Sequence, residues 1–196
     1  MRIIALSGET KESILQDLLK RSPNNYSEYE DTVNQIIKRV REEGDQALFD
    51  YTQTFDHFSL TAENIRVTKE EIAKAYACLD PGFVEILRES AQNIRVFHTK
   101  QLRNSWFDPK EDGTILGMKI TPIARAGVYV PGGKAAYPSS VLMNVIPAKV
   151  AGVKSIVMTT PPGADGKINP GTLVAADIAG VDEIYRVGGA QAIAAL

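Results

Sequence analysis

The feature that most constrains this chain is an order of textures repeated between residues 113 and 196. Residues 115–120 read as a strand, with Gly117 as a turn or bulge. Residues 126–130 form a short apolar run that ends in Pro131-Gly132-Gly133. Ser139 and Ser140 are expected to cap the next helix, whose apolar positions Leu142, Val145, Ile146 and Val150 follow a helical period up to Gly152. Pro147 inside that helix is expected to kink it. Residues 155–158 read as a buried strand and 161–168 as a loop. Asn169 then caps a helix with Pro170 at its first position, which ends near Gly180. Residues 183–187 are another strand, Gly188-Gly189 follows, and a last helix begins at Ala190. Short apolar strands joined by helices call for a parallel sheet with right-handed crossovers, and ligands of such sheets lie beyond the carboxyl ends of the strands.

The preceding half has a different texture, helical and charged. Asp31 looks like an N-cap, followed by Val33, Ile36, Ile37 and Val40 at helical spacing, with Lys38, Arg39, Arg41 and Glu42 on the solvated face. Gly44-Asp45 interrupts, and Ala47, Leu48, Tyr51 and Phe55 resume the stripe. Residues 64–67 are a strand candidate. Thr68 and Glu71 have the spacing of a capping box, in which hydroxyl and carboxylate each satisfy a free backbone N–H. Asp80-Pro81 opens a longer helix carrying Val84, Leu87, Ala91, Ile94 and Phe97. The fold class is therefore α/β: a helical region with one short strand over residues 1–110, then an incomplete Rossmann-like parallel sheet with flanking helices over 111–196. It is expected to be incomplete because the last helix has barely two turns and no C-cap by Leu196.

Composition narrows the function classes. A formal net charge of -2 argues against a dedicated nucleic-acid binder. No apolar run approaches the roughly 20 residues that span a bilayer, and the opening MRIIALSGETKES lacks a secretion signal. A cytoplasmic protein is the expectation. The single cysteine, Cys78, permits no intrachain disulfide. Its neighbours Ile72, Ala75, Tyr76 and Leu79 suggest a buried, inert thiol. Neither of the two histidines, His57 and His98, belongs to a metal-ligand spacing, so both are read as surface or satisfied side chains. Trp106 and Phe107 are expected to pack at the hinge between the halves.

The two glycine loops carry the candidate chemistry. Val128-Tyr129-Val130-Pro131-Gly132-Gly133 and Arg186-Val187-Gly188-Gly189-Ala190-Gln191 each sit where a strand turns toward a helix. Glycines there let backbone N–H groups approach a ligand, and a helix N-terminus suits a phosphate. Tyr129 offers a ring and a hydroxyl, and Gln191 an amide for a ribose or nicotinamide edge. Neither loop has a GxGxxG or Walker A pattern, and glycines at such turns are commonly structural.

The run Ala126-Gly127-Val128-Tyr129-Val130-Pro131-Gly132-Gly133 is followed by Tyr137-Pro138-Ser139-Ser140-Val141-Leu142-Met143 and Ile146-Pro147-Ala148-Lys149-Val150-Ala151-Gly152. It is completed by Val187-Gly188-Gly189-Ala190-Gln191-Ala192-Ile193-Ala194-Ala195-Leu196. Together these closely resemble histidinol dehydrogenase, and the REEGDQAL segment at Arg41 to Leu48 fits more loosely. The resemblance implies NAD-dependent oxidation of L-histidinol to L-histidine in two hydride transfers, through an aldehyde. It implies a zinc ion that positions substrate, and a homodimer. It places Tyr129 and Gln191 at NAD-contacting positions. It also implies that the zinc ligands, the substrate contacts and the proton-handling Glu-His pair lie beyond Leu196, so no catalytic or metal residue is assigned in this chain. A non-catalytic nucleotide- or protein-binding module on the same half-fold is the alternative.

Overall fold

The computed structural model describes residues 5, 7, 8, 10–12, 14, 16, 26–132 and 136–196. Gly133, at the end of the first glycine loop, lies outside them.

Helix α1 spans Ser27–Glu43 and ends at Gly44, whose φ of 60° suits glycine. Helix α2, Asp45–Phe55, follows at once. Asp31 does not cap α1, because the helix starts a turn earlier, after Tyr26, and leaves Asp31 exposed inside it. Ile36, Val40, Ala47 and Leu48 are buried as the stripe requires, whereas Val33 and Phe55 lie at its solvent margin. Helix α3, Lys69–Cys78, opens with the capping box: Glu71 N–H donates to Thr68 Oγ1 at 3.2 Å and Thr68 N–H to Glu71 Oε2 at 2.9 Å. Cys78 is exposed, not buried. Advancing about 100° per residue puts it about 110° from the centre of the Ile72–Ala75–Tyr76–Leu79 stripe. Helix α4, Pro81–Thr99, is capped by Asp80, which accepts from Phe83 N–H, and buries Val84, Leu87 and Ala91. Its stripe stops at Ile94, and Phe97 is exposed.

A hairpin follows. Strand β1, Trp106–Pro109, pairs antiparallel with β2, Ile115–Met118. Gly117 faces Phe107 in regular register, so it makes a close approach and no bulge: a Cβ there would lie 2.3 Å from the Trp106 carbonyl oxygen. Trp106 and Phe107 do not pack as expected. Both strands stand away from the core, leaving these rings more than half exposed.

The second half folds as β3 (Arg125–Tyr129), α5 (Pro138–Val150), β4 (Ser155–Thr159), α6 (Pro170–Ala179), β5 (Glu183–Tyr185) and α7 (Gly189–Ala195). The three strands form a parallel sheet in the order β3-β4-β5. Residues 65–67 add an antiparallel edge to β5, with Val67 N–H donating to Ile184 O and Arg186 N–H to Ile65 O, both at 2.9 Å. Ser139 and Ser140 do not cap α5. They lie within its first turn, because Pro138 already starts the helix and Tyr137 makes no side-chain cap. The helix runs through Pro147 as one element. Asn169 caps α6 as expected, accepting from Gly171 N–H at 2.9 Å, and Gly180 ends it at φ 90°.

Both sheet faces are covered. Val128, Val130, Ile156, Met158 and Ile184 pack under α5 and α6 and against Ala75, Val84 and Leu87 of α3 and α4. On the opposite face Val187, Ala192 and Tyr129 meet Ile36, Val40, Ala47 and Leu48. The arrangement is α/β with a doubly wound sheet, whose strand ends bring the two glycine loops together.

Candidate functional site: the carboxyl edge of the parallel sheet

Parallel register aligns Tyr129 with Thr159 and Thr159 with Tyr185. Side chains alternate across a strand, so these hydroxyls form one row on the face that α7 covers. Tyr129 is half-buried, and its hydroxyl accepts a hydrogen bond from Gly189 N–H at 3.2 Å. That leaves its own O–H proton free for an acceptor. Thr159 Oγ1 is buried without a partner. The Tyr185 O–H donates to Glu183 at 2.6 Å, and this bond, with burial, holds the phenol above its ordinary range.

The strand ends are joined by one side chain between the loops. Pro161, just after β4, packs against Gly132 after β3 and Gly188 after β5. A Cβ on Gly132 would come within 2.8 Å of Pro161 Cγ, and one on Gly188 within 2.5 Å of Pro161 Cβ. Contact with Pro161 thus excludes side chains at both positions, a structural reason for two of the loop glycines.

Gln191, in the first turn of α7, is 1% exposed, and neither its Oε1 nor its Nε2 has a hydrogen-bond partner. Buried amides are normally satisfied, so an orphaned one at this edge calls for an explanation. It lies beside Gly189, where a Cβ would fall 2.5 Å from Oε1. The structure therefore brings the two expected site residues to one place: Tyr129 bonds the turn under which Gln191 sits.

Two cavities flank this arrangement. One of about 490 Å³ lies between the sheet face and α7, lined by Arg125, Gly127, Thr159, Tyr185, Ala192 and Leu196 among others. A smaller one of about 150 Å³ lies at the strand ends, between Gly132, Thr160 and Pro161 and the capped start of α6 at Asn169 and Thr172.

Behind the second loop sits a buried cation that the sequence reading missed. Arg186, two residues before Gly188, is 7% exposed. Its Nη2 bonds both carboxylate oxygens of Glu71, at 2.7 and 2.6 Å, and its Nη1 donates to Gly166 O at 2.9 Å. Burial alone would raise the Glu71 carboxyl, but the bonds from Arg186 and Thr68 N–H outweigh it and hold the group below its ordinary value. The histidines stand apart from the edge: His57 is exposed at φ 57°, and His98 Nδ1 lies 2.7 Å from Gln101 Oε1. Among the described residues, no three His, Cys, Asp or Glu side chains gather as a metal site. No helix of the described residues is long and apolar enough to cross a membrane.

The fold and this edge define a class: α/β proteins whose open parallel sheet carries its candidate ligand contacts on loops at the carboxyl ends of the strands. The comparisons narrow it. The family model for histidinol dehydrogenase matches residues 19–196, and the chain belongs to that family. The histidinol dehydrogenase of Clostridium acetobutylicum is 50% identical over 196 residues, covering all of this chain and 45% of its own length. That of Bacillus subtilis is 51% identical over 197 residues, covering 100% of this chain and 44% of its own. The crystal structure of histidinol dehydrogenase from Elizabethkingia anophelis superposes with a TM-score of 0.80 at 38% identity, over 85% of this chain and 38% of that one. The chain thus spans less than half the length of these relatives.

Proposed function

We propose that this chain is the cofactor-binding portion of a histidinol dehydrogenase that oxidises L-histidinol to L-histidine with NAD, through the aldehyde. The observation that carries the cofactor assignment is the orphaned amide of Gln191 beside the Gly188-Gly189 turn. An amide with donor and acceptor both unpaired suits a ligand edge that offers both, such as a ribose or a carboxamide. Tyr129, hydrogen-bonded to the same turn, contributes a free O–H donor and a ring face. When bound, NAD supplies the hydride acceptor. The protein's share is positional: Pro161 sets the spacing of the two loops, Tyr129 orients the second, and the buried Arg186–Glu71 pair anchors the strand that feeds it.

The described residues do not fit a zinc site. In this reading the zinc ligands and proton-transfer groups come from the remainder of the family's length. The working enzyme is a cytoplasmic homodimer that takes L-histidinol, with no nucleic-acid or membrane partner.

The assignment is tested by titrating NAD into the isotope-labelled chain and following amide signals. Shifts at Gly188, Gly189 and the Gln191 side chain support it. Shifts confined to other surfaces, or none at millimolar NAD, refute it.

A further inference from the structure

We propose that Tyr129 and Gly189 form a latch over Gln191, so that a ligand reaches the Gln191 amide only after the Gly188-Gly189 turn swings away. The proposal rests on the reading of Tyr129 and Gln191 as cofactor residues, and adds that the turn between them must open before the amide is reached.

Three observations combine. The first is the catch: the Tyr129 hydroxyl accepts the Gly189 N–H at 3.2 Å, occupying the donor that a ligand acceptor would otherwise use. The second is the seal. Gln191 is 1% exposed with both amide atoms unpaired, and the position of a Cβ on Gly189 falls 2.5 Å from Oε1 and 3.0 Å from Nε2, so the turn lies directly on the amide. The third is the hinge. Gly189 holds φ +65°, a conformation that glycine enters and leaves without the clash of a Cβ. The closed turn thus leaves a buried amide unpaired, a state that opening relieves because the amide then meets water or ligand. Closure is held by the Tyr129 bond and by apolar packing of Val187 and Ala192 against α1 and α2.

Hydrogen exchange in the full 196-residue chain, read by NMR, tests the latch without ligand. In the wild type, Gly189 N–H and the Gln191 side-chain NH2 are expected to exchange at least about tenfold more slowly than in an open chain. Tyr129→Phe should speed both by about tenfold while the β4 amides of Val157 and Met158 keep their protection. Unchanged exchange in Tyr129→Phe overturns the latch. If that variant also loses protection in β4, the wild-type measurement decides: a Gln191 NH2 exchanging as fast as free glutamine overturns the proposal, and slow exchange supports it. Millimolar NAD added to the wild type separates the two claims. A Tyr129→Phe effect without any response to NAD supports the latch and refutes the cofactor reading. An NAD shift at Gln191 without a Tyr129→Phe effect supports the cofactor reading and refutes the latch.

Discussion

Glu71 and Arg186, 115 residues apart in sequence, meet at 2.6 Å and tie the start of α3 to the end of β5. The pair is asymmetric, with side-chain exposures of 36% for Glu71 and 8% for Arg186. Glu71→Ala leaves a buried guanidinium without its counter-charge. The expected cost is about 3 kcal/mol, the lower end for breaking a buried pair, because the carboxylate side is open to water. Arg186→Met, which removes the buried charge itself, should cost less. Urea denaturation midpoints of the two variants give the comparison, and equal losses would contradict the asymmetry.

The same pair sets a pH dependence. Folding lowers the Glu71 carboxyl below its ordinary 4.5, and Asp182, bonded by Lys149 and by Ile156 N–H, falls below its ordinary 3.8. A carboxyl lowered on folding contributes stability above its unfolded value and loses it as pH falls through the folded value. Stability from these two groups should therefore hold down to about pH 5 and decline below it. Glu71→Gln should flatten part of that decline in denaturation midpoints measured across the acid range.

At the alkaline end, Tyr76 is the informative group. Burial, then donation to Asp177 at 2.7 Å, pushes its phenol up to about 12. A raised value means that its contribution is complete below the ordinary 10.0 and is lost as pH rises through about 12. Ultraviolet titration of the wild type against Tyr76→Phe should show one late-titrating phenol missing in the variant.

The Pro161 wedge predicts a rescue. Gly188→Ala introduces a Cβ at 2.5 Å from Pro161 Cβ and should cost about 1–3 kcal/mol through overpacking. Gly188 sits at φ -112°, so backbone strain adds nothing. Pro161→Gly in the same chain, which removes the facing Cβ, should recover part of the loss, a coupling that a double-mutant cycle reads directly.

The sequence carried these elements unevenly, and particular residues show why. Asn169-Pro170 and Thr68 with Glu71 announce their helix starts because the cap and its acceptor are local. Asp31, Ser139 and Ser140 are also cap residue types, but their helices start earlier, after Tyr26 and at Pro138. The two glycine loops were legible as strand-to-helix turns, and Tyr129 and Gln191 as their polar members. The contact through Pro161, the aligned hydroxyls of Tyr129, Thr159 and Tyr185, and the Arg186–Glu71 pair were not. Each depends on strand order and register, which no local signal encodes. The exposure of Trp106 and Phe107 was missed for a related reason: aromatic content announces burial but not against what.

The chain alone is expected to produce no NADH from L-histidinol, since no three metal-binding side chains converge among the described residues and neither histidine stands at the carboxyl edge. Absorbance of NADH in a coupled-free assay of the purified chain checks this, and histidinol-dependent turnover would contradict it.

If the carboxyl edge at Tyr129 and Gln191 holds NAD, as proposed, loss of the Gln191 amide should weaken cofactor use and spare histidinol use. The most direct test is the steady-state kinetics of a full-length histidinol dehydrogenase carrying this 196-residue segment, wild type against Gln191→Ala. The KM for NAD is expected to rise about tenfold while the KM for histidinol stays within about twofold. An unchanged KM for NAD with a raised KM for histidinol would contradict the proposal.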